Sequence, residues 1–142
     1  MKPVLQPGIA FAWQYTVPER ATVPRLYHDT PFCLDMPDVL ATGYMVGMME
    51  LACVHGIMPY VDWPREQSVG IHVNFSHLAA TPPGMTLTMK GEVVKVEGRR
   101  VTFRVEAWDG QDKITEGEHV RMLIDPVKFN AKMEEKKARN AT

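Results

Sequence analysis

The sequence predicts an α+β domain in which one long helix lies against an antiparallel sheet of about five strands. Residues 39–61 form an apolar run too long for one strand. Residues 67–124 divide into four strand-like segments separated by very short turns, and one more alternating segment, residues 9–17, precedes the helix. With 142 residues, 45% of them hydrophobic and 23% charged, the chain has the size and composition of a single globular domain, 1–142.

In residues 9–17, IAFAWQYTV, the side chains of Phe11, Trp13, Tyr15 and Val17 share one face, as in a half-buried strand. From residue 18 to about 40, Pro18, Pro24, Pro31 and Pro37 break any periodicity. This segment reads as an irregular lid, with a turn of helix expected near Pro37-Asp38. The run VLATGYMVGMMELACVHGIMPYV that follows is apolar on every side and reads as a buried helix. Thr42 is placed to cap its start, and Gly56 with Pro59 to end it. A membrane span is the competing reading. Gly43, Gly47, Glu50, His55 and Pro59 argue against it, and there is no second such run.

Residues 67–79, 85–96, 100–108 and 113–124 then read as strands. Pro82-Pro83-Gly84, Glu97-Gly98-Arg99 and Asp109-Gly110 join them tightly, which makes them antiparallel neighbours. The charged tail, about 126–142, reads as a short exposed helix around Phe129 and Met133. A sheet wrapped round one central helix is the hotdog fold. A lone copy leaves a sheet edge and a helix flank uncovered, so a symmetric homodimer is expected.

A formal net charge of -1 gives no general attraction to nucleic acid. Cys33 and Cys53 make neither a disulfide framework nor a zinc pattern, and the five histidines lack ligand spacing, so no metal site is expected. The thiols fit a reducing, cytoplasmic setting. The N-terminus does not resemble a signal peptide.

Glu50 is the one formally charged side chain between Val39 and Val61. A buried carboxylate is costly unless paired or protonated, so Glu50 is either a satisfied structural group or a pocket-facing base or nucleophile. His77 ends a strand on the face of Val73, Phe75 and Ala79. It is either a packed core histidine or a proton carrier. Thr42 is a helix cap, or a hydroxyl at the positive helix end where an oxyanion can develop. Thr42 and Glu50 lie about 12 Å apart along a straight helix. They meet only if the helix starts later and the chain folds back, or if two subunits share a site.

The runs ATGYMVGMMELACVHGIMPY (41–60), HLAATPPGMTLTM (77–89), VEGRRVTFRVEAWDG (96–110) and KFNAK (128–132) closely resemble the fluoroacetyl-CoA thioesterase family over nearly the whole chain. The resemblance implies a homodimeric hotdog thioesterase that hydrolyses an acyl-CoA, with CoA as part of the substrate and no further cofactor. Its catalytic threonine, glutamate and histidine match Thr42, Glu50 and His77. Gly70 matches a strand glycine whose backbone lies against the acyl group, and Arg121 matches an arginine near the pocket. Cys33 and Met36 stand where the fluoroacetyl-specific member has lid phenylalanines, so a looser lid and weaker selectivity are expected. Two rival functions are a hotdog enoyl-CoA hydratase or dehydratase, which needs an Asp/His pair not evident here, and a non-catalytic acyl-CoA-binding module.

Overall fold

The computed structural model describes residues 3–140. The strands are β1 (Ala10–Thr16), β2 (Gln67–His77), β3 (Thr86–Glu97), β4 (Arg100–Trp108) and β5 (Lys113–Ile124). They form one antiparallel sheet in the order β1-β3-β4-β5-β2. The lid carries α1 (Val23–Leu26), the central helix is α2 (Thr42–Ile57), and α3 (Pro126–Asn140) closes the chain.

Alternation builds the core. Val101, Phe103, Val105 and Ala107 of β4 are buried on one face, beside Leu87, Met89 and Val93 of β3. Met45, Met49, Ala52, Cys53 and Ile57 of α2 complete that core. The sheet covers only one side of α2. Thr42, Gly43, Leu51 and His55 face outward, Leu51 with 38% exposure, so the helix is not buried all round as its composition suggests.

Three local expectations are also corrected. The cap of α2 is Ala41, in extended backbone, and Thr42 is the first helical residue. Its hydroxyl is engaged elsewhere, as described below. Gly56 lies inside α2 rather than ending it. The Phe11 ring packs on both Gly56 and Gly91, and a Cβ at either glycine would run into that ring. Helical turns in the lid fall at Val23–Leu26 and Pro31–Asp35, whereas Pro37-Asp38 is non-helical, with Val39 N–H bonded back to Pro37 O at 3.0 Å. The last helix, Pro126–Asn140, falls within the charged tail where a helix is expected.

The lid is tied shut at its base. Ala41 N–H donates to Ala21 O (2.9 Å), Val23 N–H donates to Val39 O (3.0 Å), and Thr22 bridges Leu40. From the other side, Leu40 N–H donates to Thr81 O at 2.8 Å, and Thr81 Oγ1 donates to Asp109 Oδ2 at 3.1 Å. Asp109 Oδ1 accepts from the backbone of Gln111 (3.0 Å) and Asp112 (2.8 Å). Burial acts to raise the Asp109 carboxyl, but the donors at Asp112, Gln111 and Thr81 outweigh it and hold it below the usual carboxylate range. The entry to α2, the loop after β2 and the β4–β5 turn are thereby fastened at one point.

Candidate active site

β2 ends on His77, and α2 begins on Thr42. The two meet, with Thr42 Oγ1 2.7 Å from His77 Nδ1. Burial pushes the His77 imidazole down, and a backbone contact at Ala79 opposes this in part without the geometry of a full hydrogen bond. The ring is therefore neutral near pH 7. Its Nε2 is buried without a hydrogen-bond partner among the described residues, and so is Oγ1 of Thr115, the cross-strand neighbour of His77. Two adjacent orphaned polar atoms are costly in a finished interior and mark a place for another polar group.

Glu50 lies two turns further along the same continuous helix, about 12 Å from Thr42 by helical rise. Its partners are different. Arg121 Nη1 donates to Glu50 Oε2 at 3.0 Å and also reaches His119 Nε2 at 3.1 Å. The rest of the guanidinium is held by Ser68, with Nε donating to Oγ (2.8 Å) and Nη2 to the carbonyl (3.0 Å). The Arg121 side chain is 7% exposed and that of Glu50 35%, so the cation is the more deeply committed partner.

The protonation of His119 follows from its neighbours. Nδ1 is 2.8 Å from the His72 carbonyl, which can only accept, so Nδ1 carries the proton. Arg121 can only donate, so Nε2 is bare. His119 is then neutral, and its 3.7 Å approach to Glu50 is not an ion pair. Burial pushes the His119 imidazole down, with further lowering by Arg121 and His72, against the His72 carbonyl bond and Glu50.

Gly70 explains how the carboxylate fits. A Cβ there would overlap Glu50 Oε2 and meet His119 Cε1 at 3.2 Å. Only glycine lets Glu50 rest on the β2 backbone, where the pairing with β5 shifts between Gly70 and His72. Cys53, one turn from Glu50, is not a second nucleophile. Burial, aided by Glu50 and opposed by Arg121, pushes its thiol up to about 12.

The structure thus gathers the expected residues into two groups, Thr42 with His77 and Glu50 with Arg121 and Gly70. No hydrogen bond or ion pair joins the groups within one chain among the described residues. Cys33 is buried under the lid turn Pro31–Asp35, and Met36 follows it at 44% exposure. Sequence reasoning passed over His119 and Ser68. Strand parity carried a signal for His119, since it shares the inward face of β5 with Arg121 and Leu123. A groove of about 530 Å³ lies across β1, β3 and β4 and is lined by none of these residues. Among the described residues no His/Cys/Asp/Glu group is arranged to hold a metal, and no helix is long and apolar enough to cross a membrane.

Comparison with known proteins agrees with this fold. Residues 27–127 match the family described as fluoroacetyl-CoA-specific thioesterase. The chain is 46% identical over 136 residues to the fluoroacetyl-CoA thioesterase of Streptantibioticus cattleyicolor, covering 96% of this chain and 97% of the relative. A solved structure of the fluoroacetyl-CoA thioesterase superposes with a TM-score of 0.90 at 45% identity, over 94% of this chain and 98% of that one. A Thermus thermophilus thioesterase superfamily member superposes with a TM-score of 0.81 at 31% identity, over 98% and 97% of the two chains. A five-stranded antiparallel sheet around α2 and these likenesses lead to one assignment: the chain belongs to the fluoroacetyl-CoA-specific thioesterase family and is a hotdog-fold thioesterase.

Proposed function

We propose that the enzyme hydrolyses short-chain acyl-CoA thioesters with Glu50, His77 and Thr42 as its catalytic residues, in a homodimer whose sites each draw on both subunits. The observation that carries this reading is the Glu50 carboxylate, held by Arg121 on the bare backbone of Gly70. Oε2 is occupied by Arg121, and Oε1 is left for the substrate. Oε1 either attacks the thioester carbonyl, expelling CoA thiolate to leave an anhydride that water opens, or takes a proton from water that attacks instead. Neutral His77 moves the proton, and Thr42 fixes its ring. No cofactor enters, since CoA arrives as part of the substrate.

The homodimer is supported by the separation of Thr42 and His77 from Glu50, and by β2. That strand is a sheet edge carrying Ile71 and Val73 at 41% and 42% exposure. A second copy pairing there brings Glu50 of one protomer toward His77 of the other. A short acyl group is supported by the tightness of the apolar slot beside Ser68, about 10 Å³ and bounded by Val54, Met58 and Trp63, which gives a long chain no channel there. A variant of the solved relative has been determined with fluoroacetate and CoA, which supports this substrate chemistry. A cytoplasmic setting is supported by two free, buried thiols, Cys33 and Cys53.

The test is thiol release from acyl-CoAs of increasing chain length, with wild type and with coexpressed Glu50→Gln and His77→Ala chains. Hydrolysis that fades with chain length, and partial recovery in the mixed dimer over either variant alone, supports the reading. Binding without turnover would make the protein an acyl-CoA-binding module. Water addition to an enoyl-CoA would make it a hydratase.

A further inference from the structure

The two ring nitrogens of His77 lie in different settings. Nδ1 is 2.7 Å from Thr42 Oγ1, at an exposed contact. Nε2 is closed off from solvent by the chain itself and has no hydrogen-bond partner. Among the described residues one other side-chain atom is in that condition, Oγ1 of Thr115. Thr115 is fully buried on β5, where it is the cross-strand partner of His77 on one side and of Ala107 on the other. Cross-strand partners project from the same face of a sheet, with Cβ atoms about 4.5–5.5 Å apart. The register here is firmly set. Leu78 N–H donates to Ile114 O at 2.7 Å, and Asp109 holds the turn that leads into β5.

Ala107 offers Thr115 only a methyl group. Valine has the shape of threonine and would fill an ordinary core position there, whereas a buried hydroxyl is costly unless it is bonded. The enclosure of both atoms within one chain limits what can serve them. A substrate atom or a group of the second protomer would have to pass the side chains that already cover Nε2. A water fits, because it donates and accepts and needs roughly two to four polar partners. Nε2 and Oγ1 supply two, and the Ala79 backbone beside the ring supplies another.

We infer that Thr115 is a positioning residue for His77, joined to Nε2 through one enclosed water that holds the ring from the side opposite Thr42. This rests on the catalytic reading of His77. When the ring takes a proton at Nδ1 it becomes a cation, and both nitrogens must then donate. Nδ1 donates to Thr42 Oγ1. Nε2 donates to the water, and the water donates to Thr115 Oγ1. The bridge therefore supports the charged ring against burial. Among the described residues no charged side chain does so. Lys113 and Glu116, beside Thr115 on β5, bind each other at 3.1 Å, and Glu50 of the same chain is bonded to Arg121. Glu50 of the second protomer is the one charge that the dimer brings toward the ring.

The test compares wild type with Thr115→Val, which keeps the shape and removes the hydroxyl, and with Thr115→Ser, which restores it. NMR titration of the His77 ring needs no substrate. The ring should titrate at lower pH in Thr115→Val than in wild type, and return in Thr115→Ser. The melting temperature of Thr115→Val should fall. In acyl-CoA hydrolysis, Thr115→Val should lower kcat by about tenfold with KM unchanged. The acid limb of its kcat profile should move to lower pH, and Thr115→Ser should recover both. A titration that does not move overturns the proposal. So does a melting temperature at or above that of wild type, since a hydroxyl without a partner is removed at no loss. Lower kcat with an unmoved pH profile gives Thr115 a packing role only and also overturns it. A wild-type crystal structure in which no water joins Nε2 to Oγ1 does the same. If the titration moves as expected while hydrolysis does not change, the catalytic reading of His77 fails and the bridge stands.

Discussion

His119→Phe probes how the carboxylate is held. The imidazole is fully buried, stacked on Phe103 with ring centroids 6.1 Å apart and edge-on to Phe75 at 6.0 Å. A phenyl ring keeps that aromatic packing. It removes the bond to the His72 carbonyl and leaves one buried Arg121 proton without its acceptor. The His72 carbonyl loses one partner but an under-satisfied carbonyl is better tolerated than an orphaned N–H, so its cost is at the low end. The orphaned Arg121 proton carries the full penalty. Together they give a destabilisation of roughly 2–4 kcal/mol, or a fall in Tm of roughly 6–15 °C for a domain of this size. Nη1 loses one of the two bonds that fix its place, so Arg121 positions Glu50 less firmly. A loss of about ten- to a hundredfold in kcat is expected, equivalent to about 1.4–2.7 kcal/mol. KM should change little. Thermal melting and separate kcat and KM values measure this, and side-chain 15N NMR of the wild type reads the His119 tautomer. A kcat at the wild-type level would refute the link to Glu50, and a proton found on Nε2 would refute the tautomer.

Glu50→Gln should lower kcat by at least about a hundredfold and also cost roughly 1–3 kcal/mol of stability, because buried Arg121 loses its counter-charge; steady-state kinetics and melting check both. Gly70→Ala should displace the Glu50 carboxylate, so kcat falls by about tenfold or more while the circular dichroism spectrum is retained. Cys33 and Met36 in the lid should leave kcat/KM for fluoroacetyl-CoA less than about a thousandfold above that for acetyl-CoA, since a small-group difference is typically worth about 1–3 kcal/mol; side-by-side kinetics decide. Stability should fall with acidification. His77 and His119 are both lowered from 6.5, so the unfolded chain takes up their protons first as pH drops through that value. Asp109, lowered from 3.8, adds a further loss below that pH. Melting temperatures that do not change from pH 7.5 to 5 would contradict the histidine part.

The strands and central helix were legible because side-chain period and turn residues state them locally. Glu50 was legible as the only charge in an apolar run. Its partner was not. Arg121 is 71 residues away, and only the β2–β5 register shows that it sits beside Gly70. Thr42 stayed open between a cap and a pocket hydroxyl because a threonine at a helix start has two uses, and the choice depends on where His77 arrives. Which residues of α2 form its open flank was hidden because an all-apolar helix has the same composition whether a sheet or a second subunit covers its other side.

The hydrogen bonds at the base of the lid have a further consequence. Ala21, Thr22, Leu40 and Ala41 are each at most 2% exposed and close the loop upon itself, so residues 23–39 leave and rejoin the body at nearly one point. Thr42 is located from below, through Leu40, Thr81 and Asp109. The loop is in this sense a cassette, entered and left through one latch. Exchanging residues 28–39 for those of a relative should leave the hydroxyl that touches His77 where it is.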